Sequence, residues 1–285
     1  MKIAIFGGSG QVATELARRV PPGVSILMIS RDRADFSKPD DVYKAARNTD
    51  ADAIINAAAY TAVDQAESEP EVATTINGTS VGRLAVAAAE TDTPLVHIST
   101  DYVFAGDGDT PWSPDDPSEP QGAYGRSKLV GEEAIRAAGH DRHTILRTSW
   151  VFSAHGKNFV KTMLKFGAER PELTVVNDEL GGPTPAADIA DACYTMAQAM
   201  AGGQSGGTYH FSGAPDVSWC DFAKEIMTMA QLPAKVTPIL SKDWKSAAKR
   251  PLNSRMDCTS LEREFGIARP DWKAGLKDVL DELSA

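Results

Sequence analysis

Near its amino end the chain runs Lys2-Ile3-Ala4-Ile5-Phe6-Gly7-Gly8-Ser9-Gly10-Gln11-Val12-Ala13, and the architecture follows from these residues. Lys2 to Phe6 is a short apolar run bounded by glycines, the pattern of a strand buried in a parallel sheet. A helical stretch continues to about Val20. Between them, Gly8, Gly10 and Ala13 keep the G-x-G-x-x-G/A spacing of a dinucleotide-binding turn. Glycines there permit a tight turn and let a pyrophosphate approach backbone N–H groups at a helix N-terminus. Gly7, Gly10, Gln11 and Val12 are the expected contacts. A glycine-rich turn can be only a turn, but its place in a strand–turn–helix unit favours the ligand.

Working outward, Val24 to Ile29 reads as the second strand, and the residues after it bear on cofactor choice. An acid at the strand end holds a ribose diol; an arginine suits a 2′-phosphate. Here Ser30-Arg31 comes first, with Asp32 just beyond, which tilts the expectation to NADPH and leaves NADH open. Asp35 and Phe36 are expected beside the adenine. Asp40 to Asn48 reads as a helix and Ala53 to Asn56 as the third strand. The strand opens into Ala57-Ala58-Ala59-Tyr60-Thr61, whose small side chains would let ribose and nicotinamide pack against backbone; a plain helix start is the alternative. Thr74 to Thr91 reads as one long amphipathic helix, with Asn77 placed either to brace the active-site strand or to face solvent.

Pro94 to Ser99 reads as a buried strand that ends in Thr100 and Asp101, and a helix begins near Tyr124 and runs to about Ala138. Tyr124 and Lys128 are four residues apart and share one helix face. A phenol, with a pKa near 10, needs a nearby cation to exchange protons at neutral pH. Lys128 would supply that cation, and Thr100 could share the hydrogen bond to a substrate oxygen. Taken alone, the pair is a weak signal, since a half-buried tyrosine and a solvated lysine are common; the dinucleotide pattern around it gives it weight.

Strands at 144–147, 173–176 and 208–211 and helices at 157–168, 187–200 and 219–230 follow, with a loop after Ala230. Trp150 stands at another strand end, either as a pocket wall or as a core residue. Lys249, Arg250 and Arg255 concentrate positive charge, and an arginine pair can hold a diphosphate, although solvated arginines fit the sequence equally well. Asp107, Asp109, Asp115, Asp116 and Glu119 crowd a segment with Pro114 and Pro117, which reads as a solvated mobile flap. The expected fold is α/β: a Rossmann-type doubly wound parallel sheet over 1–170, completed within 184–212, with a smaller C-terminal α/β part from 171–183 and 213–285.

Net charge is −10 over 285 residues, which argues against general nucleic-acid binding or an anionic membrane surface. Three cysteines without a CxxC fit a reducing compartment. The first apolar run is cut by Gly7 too early for a signal peptide, and no run reaches membrane-spanning length. The expectation is a soluble cytoplasmic protein. The histidines show no metal-ligand spacing, and no Ser/His/Asp or Cys/His nucleophile arrangement is present.

Together these residues resemble the extended short-chain dehydrogenase/reductase superfamily, and within it the dTDP-4-dehydrorhamnose reductase family. The resemblance spans nearly the whole chain. It is carried by Asn56-Ala57-Ala58-Ala59-Tyr60-Thr61, Ser99-Thr100-Asp101-Tyr102-Val103-Phe104, Gly182-Pro183-Thr184 and Arg250-Pro251-Leu252-Asn253-Ser254-Arg255. It implies reduction of the 4-keto group of a dTDP-sugar by NAD(P)H, with Tyr124 as proton donor, Lys128 on the nicotinamide ribose and Thr100 on the carbonyl oxygen. It further implies Asp101, Tyr102 and Trp150 near the sugar, and Arg250 with Asn253 near the diphosphate. Ala13 replaces the glycine usual in the family. Some members are magnesium-dependent dimers; Glu15 matches one implicated position, but no other carboxylate falls into place. A 4,6-dehydratase would carry Asp-Glu after the threonine, whereas Tyr102 follows Asp101 here. An epimerase shares the Tyr and Lys, and a non-catalytic regulatory subunit is a third reading.

Overall fold

The computed structural model describes residues 1–284. The first half contains β1 (Lys2–Phe6), α1 (Gln11–Arg18), β2 (Ser25–Ile29), α2 (Pro39–Arg47), β3 (Ala53–Asn56), the short α3 (Val63–Ala66) and α4 (Pro70–Thr74), then α5 (Ser80–Glu90), β4 (Leu95–Thr100), α6 (Ala123–Ala137) and β5 (His143–Thr148). The second half adds β6 (Val151–Phe152), α7 (Phe159–Glu169), β7 (Glu172–Val176), β8 (Leu180–Gly181), β9 (Thr184–Pro185), α8 (Ala186–Ala201), β10 (Gly207–Phe211), β11 (Val217–Ser218), α9 (Trp219–Met229), β12 (Lys235–Ile239), β13 (Asn253–Ser254), α10 (Thr259–Phe265) and α11 (Trp272–Ser284).

Six strands form one parallel sheet in the order β2-β1-β3-β4-β5-β10. Both faces are covered, which is why β1 and β3 read as apolar runs rather than as alternation. Leu16 of α1 and Ile189 and Met196 of α8 pack on one face; Val42 of α2, Leu84 of α5 and Ile135 of α6 pack on the other. The chain leaves β1 for β2 on one side and then places β3 on the other. This puts a crevice at the carboxyl ends of β1 and β3, where ligands of such sheets bind.

A further core gathers Val160 of α7, Leu173 of β7, Phe222 and Ile226 of α9, and Trp272 and Leu276 of α11. Leu261 of α10, by contrast, joins the core of the large sheet. The loop expected after Ala230 contains β12, paired in parallel with β7; Pro238, which lacks an N–H, is tolerated because a two-stranded sheet has only edges. The helix expected from Thr74 begins at Pro70 and carries a π-turn at Thr75–Thr79. No helix among the described residues is long and apolar enough to cross a membrane.

Candidate active site

At the mouth of β1, Gly7 has φ +111°, and a Cβ there would stand 3.1 Å from Ala57 C and Ala58 N. Gly7 thus satisfies both demands of the turn, a left-handed backbone and close passage of another chain segment. Gly10 is the N-cap of α1 and makes no side-chain cap bond, and the first turn holds no acid. A Cβ at Gly10 would meet nothing within 4 Å. The first-turn N–H groups of Gln11 and Val12 have no partner inside the helix, so an open, uncapped, positive helix end faces free space: the residues present fit a pyrophosphate. The Gln11 side chain is used otherwise, donating to Val151 O (3.4 Å) and accepting from Asn158 (3.0 Å).

Arg31 is largely exposed and lies 3.4 Å from Asp35, whose carboxyl is held below its ordinary value chiefly by the Ser37 backbone N–H. Phe36 differs from expectation. Its ring is 7 % exposed and sits edge-on to Phe6 in the core, so it underlies the site instead of lining it. Ala57, Ala58 and Tyr60 are half-buried and Ala59 is exposed along the crevice. Asn77 is fully buried in the π-turn, a feature frequent at functional sites. It accepts from Tyr60 N–H (2.8 Å) and donates to Tyr60 O (3.0 Å) and Ser127 Oγ (2.9 Å). It therefore ties the Ala57–Tyr60 segment to α6.

Tyr124 lies in the first turn of α6, half-buried and edge-on to Tyr102 at 5.5 Å. Glu67 accepts from Ala123 N–H at 2.7 Å, placing a carboxylate on that helix end. Thr100 accepts from Tyr102 N–H (3.2 Å) and donates to Asp101 Oδ1 (3.0 Å). Burial pushes the Tyr124 phenol above its ordinary value, opposed by a hydrogen bond with Thr100 and reinforced by Asp101. Lys128, expected to lower it, is engaged elsewhere. Its Nζ donates to Ile98 O at 2.7 Å and lies 3.2 Å from His97 Nε2, and burial lowers the ammonium to about 8, against Glu132. In this arrangement Tyr124 keeps its proton at neutral pH, as a general acid requires.

Asp101 is buried, accepts from Ser254 Oγ at 2.5 Å, and is pushed to about 6 by burial. Tyr102 is likewise raised, first by burial and then by Asp101, with Arg250 opposing. Arg250 pairs with Asp64 at 2.8 Å. Trp150 adopts φ +49° and stacks on Trp219 at 3.6 Å. Glu179 is raised to about 7 by burial, with Arg250 opposing. Trp219, Glu179 and Asp64 were not singled out from the sequence, because they come from separated segments that only the fold assembles. Thr148 Oγ1, in register with Thr100, is buried without a hydrogen-bond partner among the described residues.

Two expectations fail for one reason. Asn253 is buried, donating to Asp107 O (3.2 Å) and Thr110 O (2.7 Å) and accepting from Arg255 N (3.2 Å) and Nε (2.9 Å). Both its donors and its acceptor are occupied, so it is not available to a diphosphate. The acidic segment it holds is not a free flap: Trp112 stacks on Phe104 at 4.8 Å, and Arg147 donates to Pro114 O at 3.2 Å. Glu15 sits 3.4 Å from His155, and among the described residues no group of three His, Cys, Asp or Glu is placed to hold a metal ion. The magnesium expectation therefore finds no ligand set.

The family model described as the RmlD substrate binding domain matches residues 1–285. A dTDP-4-dehydrorhamnose reductase of Sinorhizobium fredii is 43 % identical over 287 residues, covering 98 % of this chain and 97 % of the relative. Among solved structures, a dTDP-4-dehydrorhamnose reductase of Clostridium acetobutylicum superposes with a TM-score of 0.93 at 34 % identity over the full length of both chains. One from Bacillus anthracis, in complex with NADP, superposes with a TM-score of 0.91 at 34 % identity over 99 % of each.

Proposed function

The chain belongs to the dTDP-4-dehydrorhamnose reductase family, and from that premise we propose that it reduces the 4-keto group of dTDP-4-dehydro-L-rhamnose to give dTDP-L-rhamnose, with NADPH as reductant. The observation that carries the reading is the meeting of Tyr124, Thr100 and Lys128 at the sheet edge that also bears the uncapped glycine turn.

NADPH supplies the hydride to sugar C4. The N–H groups of Gln11 and Val12 hold its pyrophosphate and Arg31 its 2′-phosphate; NADH lacks that last contact. Thr100 turns its hydroxyl from Asp101 to the 4-keto oxygen. Tyr124 gives that oxygen its phenolic proton as negative charge develops there. Lys128 leaves Ile98 O for the nicotinamide ribose and steadies the phenolate. Trp150, backed by Trp219, forms a wall beside the sugar with Tyr102, and Arg250 exchanges Asp64 for the substrate diphosphate.

In this reading residues 1–170 with 184–212 bind cofactor, and 171–183 with 213–285 bind the nucleotide sugar, α10 packing back onto the sheet. We place the enzyme in the cytoplasm, in keeping with three free buried thiols, as a homodimer that light scattering would test. NADPH absorbance followed with dTDP-4-dehydro-L-rhamnose formed in situ tests the reaction: the expected result is stoichiometric loss of signal with dTDP-L-rhamnose as product. No loss with NADPH or NADH, while the sugar nucleotide still binds, would turn the reading to an epimerase or a binding subunit.

A further inference from the structure

We propose that His97 is a positioning residue for Lys128, donating its Nε2–H to the lysine so that Lys128 rests in the free chain as an uncharged amine. Ala58 N–H donates to Asn56 Oδ1 at 3.1 Å, which fixes which end of the amide is oxygen. The other end, the NH2 group, therefore stands 2.9 Å from His97 Nδ1. An amide nitrogen only donates, so Nδ1 accepts. His97 is fully buried, and burial holds it well below its ordinary value. A neutral imidazole that accepts at Nδ1 carries its proton on Nε2.

That Nε2–H is directed at Lys128 Nζ, 3.2 Å away. An ammonium has no lone pair to receive it; an amine has one and still keeps an N–H for Ile98 O at 2.7 Å. The surrounding charges do not reverse this. From α6 the nearby acid is Glu132, which favours the ammonium but is engaged by Arg147 of β5 and Ser99 of β4. β3 contributes only the neutral Asn56, and the remaining titratable neighbour on α6 is Tyr124, a protonated phenol. Burial acts in the same sense as His97, bringing Lys128 down to about 8; that value alone leaves the ammonium in the majority at pH 7, so the amine is assigned by the hydrogen-bond geometry. The catalytic consequence rests on the role proposed above for Lys128: the lysine would take a proton from solvent as it changes partner from His97 to the nicotinamide ribose.

The test reads the two side chains directly in the full-length, cofactor-free protein and does not depend on turnover. Long-range proton–nitrogen NMR correlations should show His97 as the Nε2–H tautomer between about pH 6 and 9; the Nδ1–H tautomer would overturn the inference. In protein labelled at the lysine ε-carbon, with the Lys128 signal assigned by Lys128→Met, His97→Gln should move the Lys128 titration upward by about one pH unit, because the glutamine oxygen can accept from an ammonium. An unchanged midpoint in a folded variant would also overturn it. Should His97→Gln fail to fold, the wild-type tautomer decides. Failure of NADPH oxidation by the wild type, with the tautomer as expected, would remove the reaction and leave the His97–Lys128 link standing.

Discussion

Glu132 and Arg147 form a two-pronged ion pair out of solvent, Nε to Oε1 at 3.0 Å and Nη2 to Oε2 at 2.7 Å. Glu132 lies one turn beyond Lys128 on α6, and Arg147 directly precedes Thr148 at the end of β5, so the pair locks α6 to the carboxyl edge of the sheet. Burial alone would raise Glu132; Arg147, helped by Ser99 and Arg136, outweighs it and holds the carboxyl below its ordinary value. Arg147→Leu would leave the buried carboxylate only the half-exposed Arg136 at 2.9 Å and Ser99 as partners and should destabilise the fold by up to about 3–5 kcal/mol in urea unfolding. Adding Glu132→Gln should recover part of that loss, since residues in contact are not additive. A loss below about 1 kcal/mol for Arg147→Leu would show that the pair contributes little.

Tyr124→Phe removes the proposed proton donor and keeps the ring against Tyr102. The expected result is a fall in kcat of about 10²–10⁴-fold, with NADPH affinity nearly unchanged in a fluorescence titration, because the hydroxyl acts mainly in the transition state. Near-normal turnover would remove Tyr124 from the acid role.

What could be read before folding, and what could not, follows from the range of the interactions involved. The glycine turn was legible as a turn because glycines cluster where the backbone needs them, although the positive φ falls at Gly7, one place before the Gly8-x-Gly10 spacing. Tyr124 and Lys128 were legible as a pair because i and i+4 share a helix face. The partner of Lys128 was not, because it is a main-chain oxygen on β4 with a histidine beside it. Phe36 and Asn253 were misplaced because residue type does not reveal which way a side chain turns: one ring entered the core, and one amide was saturated by the 107–110 backbone. β12 was hidden by Lys235 and Pro238 in a half-exposed edge strand. Trp219, Glu179 and Asp64 reach one neighbourhood only through the topology.

Asp101 gives a pH dependence whose sign can be worked out. Its native value of about 6 lies above the ordinary 3.8, so between these values the native state binds more protons than the unfolded chain. Stability therefore falls as pH rises through this window, and the penalty is fully present above about 6. Asp101→Asn cannot titrate and should lose that slope. The fall in urea midpoint from pH 5 to pH 7 should be smaller in the variant than in the wild type, a remainder persisting because Glu179 and Asp188 are raised into the same window; parallel profiles would show that Asp101 titrates normally.

Thr148 separates stability from function. Its hydroxyl is buried without a partner among the described residues, one strand over from Thr100, and an unsatisfied group of this kind costs about 1–3 kcal/mol. Thr148→Val keeps the shape and removes the group, so the free protein should become more stable by an amount of that order in urea unfolding. If the hydroxyl meets a polar atom of cofactor or sugar at this sheet edge, the same variant should also raise the KM of one of them several-fold, since a ligand group is then left unpaired. A stability gain with both KM values unchanged would assign Thr148 to the fold alone, whereas a KM rise for the sugar nucleotide but not for NADPH would place it beside the reacting carbonyl.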